Sequence, residues 1–421
     1  MFHGKVMTAL GGLLLIASAM GGTAQAADDI VSVGGQGKTC QDDPGCINRL
    51  HPDIPMAVMA KPGQTIRFCT RDATDVLGPG AVPREKPTSL KEHFGDVHPL
   101  AGPVGIEGAR AGDVIAVTIV HIDPSSYGWT SATPFGFAAD LVGGGRTVLW
   151  RLDPQRGATT DGIPGVRIPK AAFPGTITTL PGPKQLDKIL AREKALMAAG
   201  GDVSPPLADL ADPADLCGPK GRDKDRCLRT IPPREIGGNL DIRYLGEGAT
   251  LYLPCHVDGC GLAIGDVHFA QGDGEIAGTA IEMSADVWVK VAIVKNPPDL
   301  SRGPNFEGPA RLLNIPSRRF YAVTGFAFKK AGKVPPEMAY LDSPKLPGLT
   351  SLNKNVVLAA RNAVGALVDY IVARYGYDRG QAYIIASVAA DLRLPQVVNA
   401  PNYEVTAILP LDIFEAGKTP K

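Results

Sequence analysis

The chain has 421 residues, with 43 Lys and Arg against 43 Asp and Glu, a hydrophobic fraction of 44%, 50 glycines and 37 prolines. That length exceeds one ordinary core and implies two domains or one large composite one. The balanced charge gives no signal for nucleic-acid binding, and the Gly and Pro content describes a turn-rich, strand-dominated protein.

Residues 1–26 read as a Sec signal peptide. Lys5 supplies the positive n-region, Ala9 to Gly22 the apolar h-region, and Ala24-Gln25-Ala26 an A-x-A site, with cleavage expected after Ala26. The apolar run is shorter and richer in Gly than a membrane span of about 20 apolar residues. There is no Arg pair for a twin-arginine signal. The mature protein is therefore expected in the periplasm or secreted, and off the membrane.

In an oxidising compartment the seven cysteines read first as disulfides. Cys40 and Cys46 flank the turn sequence Asp43-Pro44-Gly45, and Cys217 and Cys227 bracket a short basic loop. Cys255 and Cys260 are a third candidate pair, although their spacing falls inside an expected strand and turn. The odd count leaves one thiol, assigned to Cys69 as a buried free cysteine.

Residues 27–50 read as a flexible leader and residues 51–180 as an N-terminal β-rich domain. Its strands are Met56 to Met59, Thr65 to Thr70 and Asp113 to Val120, each bounded by Gly, Pro or Asp. Residues 181–236 form an insertion with a short helix near 184–199 and a Pro-rich stretch pinned by Cys217 and Cys227. It either shapes access to a site or decorates the fold. Residues 237–421 form a C-terminal β and α+β domain. Its strands are expected near 249–253, 262–269, 276–283 and 287–294, with a closing strand at 403–411. Val357, Leu358, Ala360, Val364, Leu367 and Ile371 are spaced for a helix over 354–375, and a second helix is expected over 378–392. The fold class is mainly β with an α+β portion, a β-sandwich-like domain joined to an α+β domain.

Gly265 to Glu282 is the stretch that carries chemistry. It holds Asp266, Asp273, Glu275 and Glu282, His268 and four glycines in a run otherwise patterned as a hairpin. In a strand Asp266 and His268 point the same way, and a turn at Gly272-Asp273-Gly274 would return Glu275 beside them. Such a cluster suits a divalent metal or a general base acting on water. A lone Asp-x-His is more often a hydrogen-bonded core pair, and Asp273 alone would be a turn residue; the density of polar groups argues for a site. Cys255-His256-Val257-Asp258-Gly259-Cys260 has ligand-like spacing but no second cluster to complete a zinc site, so it reads as a loop. His51, His93, His98 and His121 lie singly. No G-x-S-x-G, P-loop or H-E-x-x-H occurs.

Together with four further segments, Gly265 to Glu282 resembles the acetamidase/formamidase family. The segments are Gly237-Gly-Asn-Leu-Asp241, His98-Pro-Leu-Ala-Gly-Pro103 followed by Ile106-Glu-Gly-Ala109, Gly128-Trp-Thr130, and Ala382 to Asn399. The resemblance spans most of the mature chain. It implies hydrolysis of short carboxamides such as formamide and acetamide to a carboxylate and ammonia, on a β-sandwich joined to an α+β part. Carried over residue by residue, it singles out Asp72, Asn239, Asp241, Asp266, His268, Gln271, Asp273 and Glu275.

Glu275 is assigned as general base, with Asp273 and His268 catalytic beside it. Asn239, Gln271 and Asp72 are assigned to substrate binding. Asp241, Asp266 and His268 are assigned to a divalent metal or to positioning water. The Asp/His set suits Zn and an oxygen-rich one Ca or Mg; no organic cofactor is expected. The expected partner is a small amide, and analogy with the family implies a homo-oligomer.

One departure matters: Ala277 stands where many members have Cys, so a cysteine nucleophile is impossible there. Either the mechanism does not need it or the protein has lost amidase activity. Two alternatives therefore stand, a hydrolase of a larger or cyclic amide and a non-catalytic periplasmic binding protein on the same fold.

Overall fold

The computed structural model describes residues 1, 30–75, 95–132, 136–143, 145–198, 203–204, 207–300, 303–314, 317–328, 355–396 and 404–415. The expected signal peptide, apart from Met1, lies outside the described residues. The fold is mainly β with an α+β part.

A 15-stranded sheet system dominates. Its backbone is the long strand Val114–Ala132, which runs antiparallel to Glu282–Ile293 along most of its length. Ile115, Val117, Ile119 and Ile122 on the first strand, with Val287, Val289 and Val291 on the second, are buried in one core, the β-branched content expected of a packed pleated surface. Thr65–Thr70 pairs with the other edge of Glu282–Ile293. Thr250–Pro254 and Arg146–Arg151 pair with opposite ends of the long strand.

The strand Leu262–His268 positions the site. One edge pairs throughout with Phe173–Thr178. The other edge pairs first with Leu100–Ile106, through Leu262, Ile264 and Gly265, and then with Glu282–Ile293, through Val267 and His268. Asp266 sits where the partner changes, with φ of 54°. A non-glycine residue in the left-handed region is uncommon and clusters at functional sites.

The α+β part is a three-stranded antiparallel sheet in the order Phe320–Phe326, Glu404–Pro410, Asp391–Gln396, with the helix Val356–Tyr375 against it. That helix is capped by Asn355, whose Oδ1 accepts from Leu358 N at 2.9 Å, and it ends at Gly376 with φ of 73°. It is long and apolar enough to cross a bilayer, yet it buries Leu358, Val364, Leu367 and Ile371, the role of a core helix. The following helix, Arg379–Ala389, starts with a capping box of Asp378 and Gln381 and buries every residue from Ala382 to Ala389. Both helices share the core of the large sheet.

Three expectations change. The stretch read as a flexible leader is built into the fold over residues 30–50. Val31–Gly34 pairs in parallel with Thr65–Thr70, and Cys46–Ile47 pairs with Leu100 and Ala101. The physical reason is Arg71, a buried guanidinium that donates to the carbonyls of Gln36, Gly37 and Lys38 and pairs with Asp75 at 3.0 Å and Asp43 at 3.4 Å. The boundary placed at residue 237 crosses the sheet, because Gly237–Asn239 pairs with Phe173–Thr178. Residues 276–281 form a turn followed by irregular chain, and the returning strand begins at Glu282.

The cysteines are paired Cys40–Cys46, Cys217–Cys227 and Cys255–Cys260, and Cys69 is free and half-buried.

Removing one member of a buried ion pair leaves the others uncompensated, at a cost of about 3 kcal/mol or more. Arg71→Met is therefore expected to lower the unfolding free energy by about that amount and to open residues 30–47 to protease. Unchanged melting and unchanged limited proteolysis would contradict this account of the N-terminal segment.

Candidate active site

Four carboxylates converge on one imidazole. Asp266 and His268 come from Leu262–His268, and Glu282 lies directly across the ladder from His268. Its Oε1 accepts from Ala280 N at 2.9 Å, and its Oε2 lies 3.1 Å from His268 Nε2. Asp241 follows Gly237–Asn239, where the amides of Leu240 and Asp241 both donate to Gly175 O, at 2.9 and 3.2 Å. Glu275 belongs to the loop after Leu262–His268, its amide donating to Gly272 O at 3.1 Å. Like Asp266, Asp241 and Glu275 hold positive φ, 50° and 41°.

The carboxylates form two sets that share His268. Ligating atoms of Asp241, His268 and Glu275 lie within 4.8 Å of one another, and so do those of Asp266, His268 and Glu282. The second set is wholly buried, whereas Asp241 and Glu275 are only partly so. The cluster thus has a closed inner side and an outer side that meets solvent.

Gln271 orients the imidazole. Its Nε2 donates to Asp241 O at 2.8 Å, which leaves its Oε1 to accept from His268 Nδ1, also at 2.8 Å. A proton on Nδ1 turns Nε2 towards the carboxylates. Phe173 packs edge-on against the ring at 5.0 Å.

Glycine at 175 is required by close approach. A Cβ there would lie 2.6 Å from Asp241 Oδ1 and 2.7 Å from Asp266 Oδ2. Thr176 Oγ1 stands between Asn239 Oδ1 at 3.0 Å and Asp266 Oδ2 at 3.3 Å.

The electrostatics follow from burial and crowding. Burial, then the charge of Asp266, pushes the Asp241 carboxyl well above the usual carboxylate range. Burial and the charge of Asp241 do the same to Glu275. The two carboxyls hydrogen-bond to each other, which tempers the rise at Asp241, while the charge of Asp241 adds to the rise at Glu275. Glu282 is raised chiefly by burial. Burial also opposes the charge on Asp266, but His98 and His268 outweigh it and hold that carboxyl below the usual range. Burial disfavours an imidazolium at His268, yet Glu282 and Asp266 overcome it and raise its pKa well above the ordinary value.

Asp241 Oδ1 is buried without a hydrogen-bond partner among the described residues, and the buried His268 Nε2 and Glu282 Oε2 face each other at 3.1 Å. Buried polar atoms normally have partners, and carboxylates left this poorly satisfied around one imidazole fit a bound cation.

The structure brings Asp241, Asp266, His268 and Glu275 together, with Gln271 and Asn239 beside them. Two of the residues read as site members, Asp273 and Asp72, are bonded to groups outside the cluster. Asp273 accepts from Tyr244 Oη, and its amide donates to Asp391 at 3.2 Å, on the far side of the turn from Glu275. The expected tight hairpin is instead a broad loop that packs on Arg379–Ala389, where Gly272 N donates to Ser387 O and Ser387 Oγ to Thr279 O. Asp72 is buried as an acceptor for Trp129 Nε1 at 2.9 Å and Thr74 Oγ1 at 2.9 Å, a structural role. Gln271 spends both ends of its amide on the protein and so orients His268.

Sequence reasoning missed Glu282, His98, Thr176 and Gly175. Glu282 closed the very motif that drew notice, but an assumed hairpin put the return strand too early. His98 opened the family-like His-Pro segment, with no local signal tying it to Asp266, whose Oδ1 is 3.8 Å from His98 Nε2.

The model of the acetamidase/formamidase family matches residues 33–416. The chain belongs to that family. It is 31% identical to the formamidase of Methylophilus methylotrophus over 90% of this chain and 91% of that protein. It is 32% identical to the acetamidase of Mycolicibacterium smegmatis over 80% and 84%. Among solved structures it superposes on a gamma lactamase from Delftia acidovorans with a TM-score of 0.77 and 29% identity, covering 93% of this chain and 94% of that one. The protein is thus an amide-hydrolysing enzyme of the acetamidase/formamidase family. In this family member Ala277 is fully buried, its amide donating to Ser387 Oγ at 3.1 Å, so the position is part of the support for the site loop.

Gly175→Ala tests the close approach directly, because residue 175 is not among those at positive φ and a methyl group there is opposed by the two carboxylates and by Asp266 O at 2.9 Å. Displacing catalytic groups by such amounts costs on the order of 10- to 100-fold in rate. A folded Gly175→Ala protein with kcat/KM reduced to that degree is expected, and an undiminished rate would remove Asp241 and Asp266 from the reaction.

Proposed function

We propose that the protein hydrolyses short carboxamides of the formamide and acetamide type to a carboxylate and ammonia, using water activated at the outer side of the His268 cluster. The observation that carries this reading is the convergence of Asp241 and Glu275 with His268 at the solvent-facing side of a buried cluster, where both carboxyls are pushed above the usual carboxylate range. A carboxylate whose proton affinity is raised serves both as base and as acid.

Glu275, as carboxylate, takes a proton from water as its oxygen bonds to the amide carbon. The same carboxyl then gives that proton to the amide nitrogen as the carbon–nitrogen bond breaks, and ammonia leaves with the carboxylic acid, whose proton passes to ammonia to give carboxylate and ammonium. The charge of Asp241 keeps the Glu275 proton affinity high, while Gln271 and Glu282 hold His268 in place. Asn239, next to Thr176 and Asp266, is positioned to hydrogen-bond the substrate amide.

The outer set of Asp241, His268 and Glu275 and the inner set of Asp266, His268 and Glu282 are the two donor sets that would hold a divalent cation. Zn matches the imidazole and carboxylate mixture, with Ca or Mg the alternatives for its oxygen-rich side. When bound, such an ion would supply the positive charge that stabilises the developing oxyanion and acidifies water.

A second reading, hydrolysis of a cyclic amide, is favoured by the likeness to the gamma lactamase structure. We also place the mature protein outside the cytoplasm, in keeping with its three disulfides.

Ammonia release from formamide, acetamide and propionamide, measured beside ring opening of a γ-lactam, separates the readings. Ammonia from the acyclic amides supports the first, and ring opening alone supports the second. Turnover of neither, with binding retained, would return the protein to a non-catalytic role.

The acid limb of kcat/KM should lie above the pH at which an ordinary carboxylate titrates, because Glu275 must lose a proton held by burial and by Asp241. The rate rises as pH increases through that raised pKa. Glu275→Gln should fold normally and lose turnover by at least about 100-fold; an unaltered rate would remove Glu275 from the mechanism.

A further inference from the structure

The segment clipped by Cys217–Cys227 reaches the active site. Directly after Cys227, Leu228–Arg229 pairs with Arg49–Leu50, and Leu228 is buried with Leu186, Ile189, Leu216 and Ile236 in a core of its own. Arg234 fastens the segment further, donating to Arg229 O at 2.7 Å and pairing with Glu193 of the helix Pro183–Ala198 at 2.8 Å.

Between these anchors stands Thr230, fully buried. Its hydroxyl oxygen accepts from His98 N at 2.6 Å, and the same hydroxyl donates to His98 O at 3.5 Å. Arg229 Nη2 donates to the preceding carbonyl, that of Val97, at 3.4 Å. Both sides of the His98 main chain are thus held by one side chain from this segment. The imidazole it presents is buried, with Nε2 3.8 Å from Asp266 Oδ1. Farther along the same segment, Gly237–Asn239 and Asp241 enter the site from the other direction.

We infer that Thr230 is a positioning residue, clamping the His98 main chain so that the imidazole faces Asp266. This makes the disulfide-clipped segment part of the active-site architecture. The inference rests on the proposed amide hydrolysis for its kinetic consequence, but the placement of His98 stands independently of it.

A buried hydroxyl bonded on both sides can be replaced by an isosteric methyl group or kept on a smaller side chain. Thr230→Val removes both hydrogen bonds and leaves His98 N without a partner; Thr230→Ser retains the hydroxyl. The test combines crystal structures of the two variants with kcat and KM for each, for His98→Gln, and for Thr230→Val combined with His98→Gln.

In Thr230→Val the imidazole should move away from Asp266, with kcat down about 10-fold or more and KM little changed, the pattern of a lost transition-state interaction. Thr230→Ser should keep both the placement and most of the rate. The double variant should lose no more than His98→Gln alone, because both act through one group.

An imidazole that stays in place in Thr230→Val would overturn the inference. So would a displaced imidazole with an unaltered rate, or losses that multiply in the double variant. Wild-type protein inactive on every amide would refute the proposed reaction, and the position of His98 in the Thr230→Val crystals would still decide the role of Thr230.

Discussion

The structure depends on a local imbalance: carboxylates from Asp241, Asp266, Glu275 and Glu282 are gathered around one buried imidazole nitrogen. Carboxylates taken out of water are tolerated only when protonated, paired or bound to a cation. The cluster uses the first two in part. Asp241 and Glu275 hydrogen-bond to each other with raised proton affinities, and the charges of His98 and His268 hold the Asp266 carboxyl below the usual carboxylate range. Gln271 makes the arrangement directional, because its amide is fixed by Asp241 O and so commits the Nδ1 proton of His268.

Much of the fold serves to hold that imbalance in place. The strand Leu262–His268 exchanges one neighbour for another at Asp266, which frees that residue from the ladder and turns its carboxylate towards Gly175. The helix Arg379–Ala389 is buried and uses Ser387 and Tyr383 to grip the loop that carries Glu275. The Cys217–Cys227 segment grips His98 from the opposite side. Positive φ at Asp241, Asp266 and Glu275 is sustained because each lies between such supports.

What was legible in the sequence was periodicity and local density. The helix expected over 354–375 is Val356–Tyr375, and the one expected over 378–392 is Arg379–Ala389, since apolar spacing and capping residues are local signals. The strand carrying Asp266 and His268 was legible for the same reason, and the cysteine pairs were close in sequence. Long-range partnerships were not legible. Asp72 and Asp273 look like site residues in a string of letters, and only the fold shows Trp129 and Tyr244 as their partners. The N-terminal stretch read as a leader because its glycines suggest freedom, whereas the buried Arg71 that orders it lies far along the chain. His98 and Glu282 became site residues only when three strands were laid side by side.

We propose that this cluster, which activates water for amide hydrolysis, depends on a divalent cation. The most direct test is the divalent-metal content of the purified, desalted mature protein and of His268→Leu, by elemental analysis, with amide turnover measured on the same samples. The account predicts a stoichiometric divalent metal in the active wild-type protein and its loss, together with turnover, in His268→Leu. Full turnover by wild-type protein that carries no metal would contradict it.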